Sequence, residues 1–198
     1  MKESLIDKLK QQGVQEHIID AFAQVDRTKF MAQAAYAYQD NAFPIGHGQT
    51  ISQPSTIAFM LQLLDIQPQH KVLEIGSGSG YVLALLSHLA KHVYGVERIK
   101  ELVQTAKQRI DVPIIHDDGS KGVPQYAPYD RILVSAAYKE SPIHLTAQLK
   151  ESSIIVSSVD ESIVKITKKD GQITQEEYHG FRFVPIVSGD VQSTDDQD

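Results

Sequence analysis

Cysteine is absent from this 198-residue chain, so no disulfide, thiolate nucleophile or cysteine-ligated metal is available to it. Also lacking is any apolar run near the roughly 18 residues that span a bilayer. The opening Met1-Lys2-Glu3-Ser4-Leu5-Ile6-Asp7 is too polar for a signal peptide. A cytoplasmic protein with no membrane partner is the expectation. Positive charge is scarce as well, with 19 Lys and Arg against 25 Asp and Glu and a net charge of −6. Non-specific nucleic-acid binding draws its affinity from basic side chains on phosphates, so no nucleic-acid partner is expected. His88 and His92 form the only close histidine pair, and His92 should begin a strand, so the two do not share a helical face. His116-Asp117-Asp118 is a weaker candidate still, and no metal site is expected. Internal repeats and low-complexity linkers are missing. What remains is 41% hydrophobic and 22% charged, the balance of a soluble globular protein.

The length suits one domain with a sizeable core, spanning 1–198. Its first part, 1–53, reads as a helical cap followed by a loop. Leu5, Ile6 and Leu9, then Val14, Ile18, Ile19 and Phe22, recur at helical spacing, with Gly13 between two short helices. Pro54 sits where a further helix would start, and Pro68 closes it. From Lys71 the pattern becomes alternating strands and helices: strands 71–75, 92–96, 113–116, 130–135 and 153–158, helices 81–90, 98–110 and 142–150. That alternation predicts a doubly wound, Rossmann-like α/β core over 54–190, mostly parallel. Segments 161–168 and 172–187 read as an antiparallel hairpin turning at Lys169-Asp170-Gly171. The acidic, polar 191–198 is expected to be disordered.

The chemistry concentrates in Val72-Leu73-Glu74-Ile75-Gly76-Ser77-Gly78-Ser79-Gly80-Tyr81. A strand runs straight into Gly-x-Gly-x-Gly, whose first two glycines allow a sharp turn and close approach of a ligand. Glu97, one βα unit later, can hydrogen-bond ribose hydroxyls. Dinucleotide sites usually space their glycines Gly-x-Gly-x-x-Gly around a pyrophosphate, which Glu74 would repel. A carboxylate there suits a cationic ligand. S-adenosylmethionine carries an ammonium, a sulfonium and a ribose and no phosphate, so Glu74 with Glu97 favours methyl transfer over hydride transfer. Open parallel sheets bind ligands beyond the carboxyl ends of their strands, which brings in 117–120 and 135–138. Asp118 there can accept from an adenine amine or simply cap the turn before Ser120. In Pro44-Ile45-Gly46-His47-Gly48-Gln49-Thr50-Ile51-Ser52-Gln53-Pro54, Ser52 and nearby N–H groups can meet an anion at a helix start, or Ser52 can cap that helix. Tyr36, Tyr38 and Phe43 fit a lid or the core equally well.

Pro44–Pro54 together with Val72–Tyr81 closely resembles the protein-L-isoaspartate O-methyltransferase family, within the class I methyltransferases. Val96-Glu97-Arg98-Ile99-Lys100-Glu101-Leu102, Asp118-Gly119, Ala127-Pro128-Tyr129-Asp130 and Phe183-Val184-Pro185-Ile186 follow in family order over nearly the whole chain. The resemblance implies transfer of a methyl group from S-adenosylmethionine to the α-carboxylate of L-isoaspartyl residues in damaged proteins and peptides. The ester would then close to a succinimide and so begin repair. Ser52 would be the active-site serine, with Ile51 and Val184 contacting substrate. Gln49, Thr50, Ile51, Ser52, Glu74, Gly76, Ser77, Gly78, Glu97, Asp118 and Gly119 would surround the cofactor.

Three departures from the family pattern fall on the substrate side. Ala136-Ala137-Tyr138 replaces Ala-Ala-Pro, which would bring a bulky ring near the site entrance. Lys150-Glu151-Ser152-Ser153 and Ser157-Ser158-Val159-Asp160 lack the glycines common there, so residues bearing a Cβ must take up turns that glycine favours. Ser135-Ala136-Ala137-Tyr138 also lacks the Asn/Asp-Pro-Pro-aromatic motif of amino-methylating enzymes. A methyltransferase of another substrate, or a non-catalytic relative that only binds the cofactor, are the competing readings.

Overall fold

The structure is a computed structural model and describes residues 1–187; the expected tail at 191–198 lies outside these. Helices α1 (Lys2–Gln11) and α2 (Glu16–Gln24) are separated at Gly13, whose φ is +78°. Each buries one stripe, Leu5 and Leu9 on the first and Ile18, Ile19 and Phe22 on the second. Two 3-10 turns, Arg27–Phe30 and Ala34–Tyr36, lead to a small antiparallel hairpin of β1 (Phe43–Gly46) and β2 (Gln49–Ile51). Helix α3 (Pro54–Leu64) follows, with proline in its first turn, where a missing N–H and fixed φ cost nothing.

Strands β3 (Lys71–Ile75), β4 (His92–Glu97) and β5 (Ile114–His116) alternate with α4 (Tyr81–Leu89) and α5 (Lys100–Lys107). The chain then crosses to the other side of β3 and adds β6 (Tyr129–Tyr138), β7 (Leu149–Val159), β8 (Ser162–Lys169) and β9 (Gln172–His179). The resulting order is β5-β4-β3-β6-β7-β8-β9, parallel from β5 to β7 and antiparallel beyond. This is the expected mixed, Rossmann-like sheet. The order reverses at β3, where Ile75 lies beside Val96 on one flank and Val134 on the other. Alternate residues feed the two faces. Val72, Leu133 and Val156 join the core made by the α-helices, while Leu73, Ile132, Val134 and Ile155 build a second core.

That second core draws on no α-helix among the described residues. The helix expected at 142–150 is a 3-10 segment, Ile143–Gln148, and β7 begins directly after it. Pro142 precedes this segment without an N–H to share, and β7 takes up the apolar residues that the helical pattern counted as its own. The final strand also ends early, at His179 rather than 187. Gly180, at φ +96°, turns the chain back over the sheet. There the Ala137 N–H donates to the Val184 carbonyl at 2.8 Å, and the Ile186 N–H to Ala137 at 2.7 Å. This strap is tied to α3 by stacked rings: Phe59 on Phe181 at 5.5 Å and Phe181 on Phe183 at 6.4 Å. The Asp170-Gly171 turn has φ of +53° and +71°, the left-handed pair that suits a tight hairpin.

The missing glycines leave a visible mark. Ser152 and Asp160 both occupy the left-handed region, at φ +58° and +49°. The other serines are accommodated by hydrogen bonds: Ser158 Oγ donates to the Val134 carbonyl at 3.2 Å and Ser157 Oγ to the Ser158 carbonyl at 3.1 Å. Left-handed backbone costs an ordinary residue roughly 1–2 kcal/mol, against about 0.4–1 kcal/mol for the extra unfolded-state freedom of glycine. Ser152→Gly should therefore raise stability by about 0.5–1 kcal/mol, read from denaturant unfolding at constant m-value. A loss of stability would show that the Ser152 side chain contributes more than its backbone costs.

Candidate active site

A cavity of about 610 Å³ opens above the carboxyl ends of β3, β4 and β6, within the size range of small-molecule sites. Its floor is the glycine-rich turn. A Cβ on Gly76 would sit 3.2 Å from that of Ala136, and one on Gly78 3.1 Å from Ile45 of β1. With φ of +81° and +50° as well, neither position suits a side chain, and the β1–β2 hairpin lies directly against this turn. Glu97 organises it further. Gly78 N–H donates to Oε2 and Ile99 N–H to Oε1, both at 2.9 Å. Two carboxylate oxygens offer about four acceptor positions, so hydroxyl donors from a ribose can still be accepted.

Glu74 is 1% exposed. Ser135 Oγ donates to its Oε1 at 2.8 Å, while Oε2 has no partner among the described residues. Burial, only partly opposed by the Ser135 hydrogen bond and aided by the nearby Glu97 charge, pushes the Glu74 carboxyl up to about 8. A buried, unpaired carboxyl oxygen beside a cavity is the partner a cationic ligand requires.

On the far side, Asp118 caps the turn before Ser120, one of the two roles open to it from sequence, and still borders the cavity. Its Oδ1 accepts from the Ser120 N–H at 2.9 Å, capping the 3-10 turn Gly119–Lys121, and it lines the cavity with Gly119. Tyr138 departs from expectation. Its ring belongs to the second core rather than to the cavity wall, and its hydroxyl donates to the Ser120 carbonyl at 2.7 Å. His144 Nε2 approaches the same carbonyl at 3.0 Å. The bulky residue braces the Asp118 loop instead of narrowing the entrance. Tyr36 stacks on Phe43 at 6.1 Å and Tyr38 donates to Asp26 at 2.8 Å, so these rings serve packing outside the cavity.

The remaining wall is the loop that carries Gln49, Thr50, Ile51 and Ser52. Ser52 does not cap α3. Asp40 does so from outside the loop, accepting from the Ser55 N–H at 2.8 Å and from Gln53 Nε2 at 3.2 Å, with Lys8 2.7 Å away. The Ser52 hydroxyl makes no hydrogen bond among the described residues. The Ser52 carbonyl, by contrast, accepts from Arg27 Nη2 at 2.8 Å. Val184 faces the same cavity from the strap, its carbonyl engaged by Ala137. Ser77 also lines it, although its hydroxyl donates inward to the Val96 carbonyl at 3.3 Å. Sequence reasoning passed over Arg27 and Asp40, which stand outside every motif. It also missed the Ser135–Glu74 pairing and the Phe181–Phe183 wall. For Ser135, position at a strand end beside β3 was the available signal.

The profile of the protein-L-isoaspartate(D-aspartate) O-methyltransferase family matches residues 1–191. This chain belongs to that family. A solved protein-L-isoaspartate O-methyltransferase is 28% identical, covers 96% of this chain and 67% of its own, and superimposes with a TM-score of 0.86. Another, described as a protein-L-isoaspartate O-methyltransferase from Plasmodium falciparum and solved with S-adenosyl-L-homocysteine, is 27% identical. It covers 93% of this chain and 97% of its own, with a TM-score of 0.80. Precorrin-6y C5,15-methyltransferase from Geobacter metallireducens, at 16% identity and a TM-score of 0.50, shares the fold alone. Membership makes the chain an S-adenosylmethionine-dependent carboxyl methyltransferase. The cavity fits that cofactor: Glu74 has a free buried oxygen for a cation, Glu97 faces the turn, and no side chain stands on Gly76 or Gly78.

With Glu74 beside the cation of the cofactor, the affinity for S-adenosylmethionine should depend on pH. The Glu74 carboxyl is mostly protonated below about 8, and a cation beside it favours the carboxylate. Below that value binding releases a proton, and affinity for S-adenosylmethionine should rise with pH by at most about tenfold per unit, then turn over as the ligand's own α-ammonium deprotonates at about 8. Calorimetric titration at pH 6.5, 7.5 and 8.5 in buffers of different ionisation enthalpy reads both effects. Glu74→Gln should weaken binding and flatten the profile. A flat profile in the unmodified protein would show that Glu74 does not change protonation on binding.

Proposed function

We propose that this chain methylates the α-carboxylate of L-isoaspartyl residues in damaged proteins and peptides. The observation that carries the reading is the Ser52 hydroxyl. It lines the cavity shared with Glu74 and Glu97, is spared from helix capping by Asp40, and makes no other hydrogen bond among the described residues. A hydroxyl so placed can donate to one oxygen of a carboxylate and aim the other.

When bound, S-adenosylmethionine supplies a methyl group already activated by its sulfonium. Glu74 would face its cationic amino-acid end, Glu97 its ribose, and Asp118 with Gly119 its adenine, while the N–H groups of the glycine turn leave no side chain between backbone and ligand. The substrate carboxylate is ionised at neutral pH, since such groups titrate near 3.9 in free peptides, and no strong general base is needed. Ser52 therefore orients the nucleophilic oxygen rather than attacking. Holding the reacting groups in line can account for about 7–11 kcal/mol of a barrier. Val184 and Ile51 offer the neighbouring backbone for an extended peptide. The ester can lose methoxide where the carboxylate would have to lose oxide. The nitrogen of the following amide therefore attacks the ester carbonyl, the C–O bond to the methoxy group breaks, and the amide proton leaves with it as methanol, closing a succinimide.

Methyl transfer to a peptide carrying isoaspartate, measured beside the same peptide with normal aspartate, tests this directly. Transfer should be confined to the isoaspartyl form. Ser52→Ala should lower kcat/KM for that peptide by about 100-fold, the range for removing one well-placed donor, with cofactor affinity little changed. Equal transfer to both peptides, or none to either with cofactor bound, would overturn the assignment.

A further inference from the structure

Beneath Ser52 lies a group that the reaction as described does not use. Arg27, on the 3-10 turn Arg27–Phe30, is 0% exposed. Its Nη2 donates to the Ser52 carbonyl at 2.8 Å and, at 3.4 Å, to that of Asn41. Nε and Nη1 have no hydrogen-bond partner, and no carboxylate lies within ion-pair distance, among the described residues. Asp40, the one carboxylate whose charge it feels, acts on it less than Tyr81 does and is spent on Lys8 and on the start of α3. The guanidinium instead faces the ring of Tyr81, 4.8 Å from its centroid. Tyr81 is the first residue of α4, directly after the glycine turn, so Arg27 bridges the two motifs that form the cavity.

A buried cation without a counter-ion is a costly arrangement for the fold alone. Arginine suits it better than lysine, because the planar fork can hold a carbonyl and lie against an aromatic ring together. We infer that Arg27 is a positioning residue for methyl transfer: it fixes the Ser52 backbone and, as an un-neutralised buried charge behind that loop, draws the substrate carboxylate to the Ser52 hydroxyl. The inference rests on Ser52 being the group that meets that carboxylate.

The test combines Arg27→Met and Arg27→Lys with Ser52→Ala in a double-mutant cycle, with the full chain and an isoaspartyl peptide. Arg27→Met should raise the KM for peptide and lower kcat, together costing at least tenfold in kcat/KM, while the Kd for S-adenosylmethionine stays within about twofold. Arg27→Lys, keeping the charge and one donor, should recover part of the loss. In the Ser52→Ala background, Arg27→Met should cost less than threefold. Fully multiplicative effects, or a loss of cofactor affinity as large as the loss of kcat/KM, would reduce Arg27 to a structural role and overturn the inference. If Arg27→Met does not fold, the same cycle run with Arg27→Lys decides it by the same criteria. Ser52→Ala without effect on kcat/KM would instead remove the reading of Ser52 on which the inference stands.

Discussion

Three parallel strand ends, held in register, determine what this protein can bind. Because Ile75 pairs with Val96 and with Val134, the residues that follow each strand emerge side by side. Glu74, Glu97 and Ser135 thus converge from positions far apart in sequence. A shift of one residue between β3 and β6 would turn Ser135 to the opposite face and strip Glu74 of its single hydrogen bond. The reversal of strand order at β3 opens the crevice, and the register furnishes it.

The N-terminal third of the chain then acts on this frame from one side. α1 contributes Lys8 to Asp40, Asp40 caps α3, and the Arg27–Phe30 turn contributes the guanidinium under Ser52. None of these groups lines the cavity. They relieve Ser52 of a capping duty that its place before a helix would otherwise impose, and so convert a residue type common at helix starts into a free donor. An isolated buried ion typically costs several kcal/mol, which makes the persistence of Arg27 in this layer an indication of function rather than of packing.

The central sheet and the glycine turn were legible because their signals are local: strand-length apolar runs, glycines at fixed spacing, and acidic residues at strand ends. The family resemblance rested on the same stretches. Helix 142–150 was misjudged because Leu145, Leu149 and their neighbours serve a 3-10 turn and a strand with similar spacing, and tertiary packing decided between them. Tyr138 was misplaced for a different reason. The sequence places it in a loop after a strand ending at 135, whereas β6 runs on to Tyr138, and there the Ser120 carbonyl lies within reach of the ring hydroxyl. Arg27 and Asp40 could not be read at all. Their significance comes from contacts across 25 and 15 residues, with no periodicity or motif to announce them.

The stacked rings of Phe59, Phe181 and Phe183 join two parts of the cavity that are distant in sequence. Phe59 rides on the helix that begins just after Ser52, and Phe181 and Phe183 on the strap that holds Val184. These two walls of the cavity are therefore a single mechanical unit. The strap and the start of α3 do not move independently: a displacement of one carries the other through the rings, and the cavity keeps its shape between them.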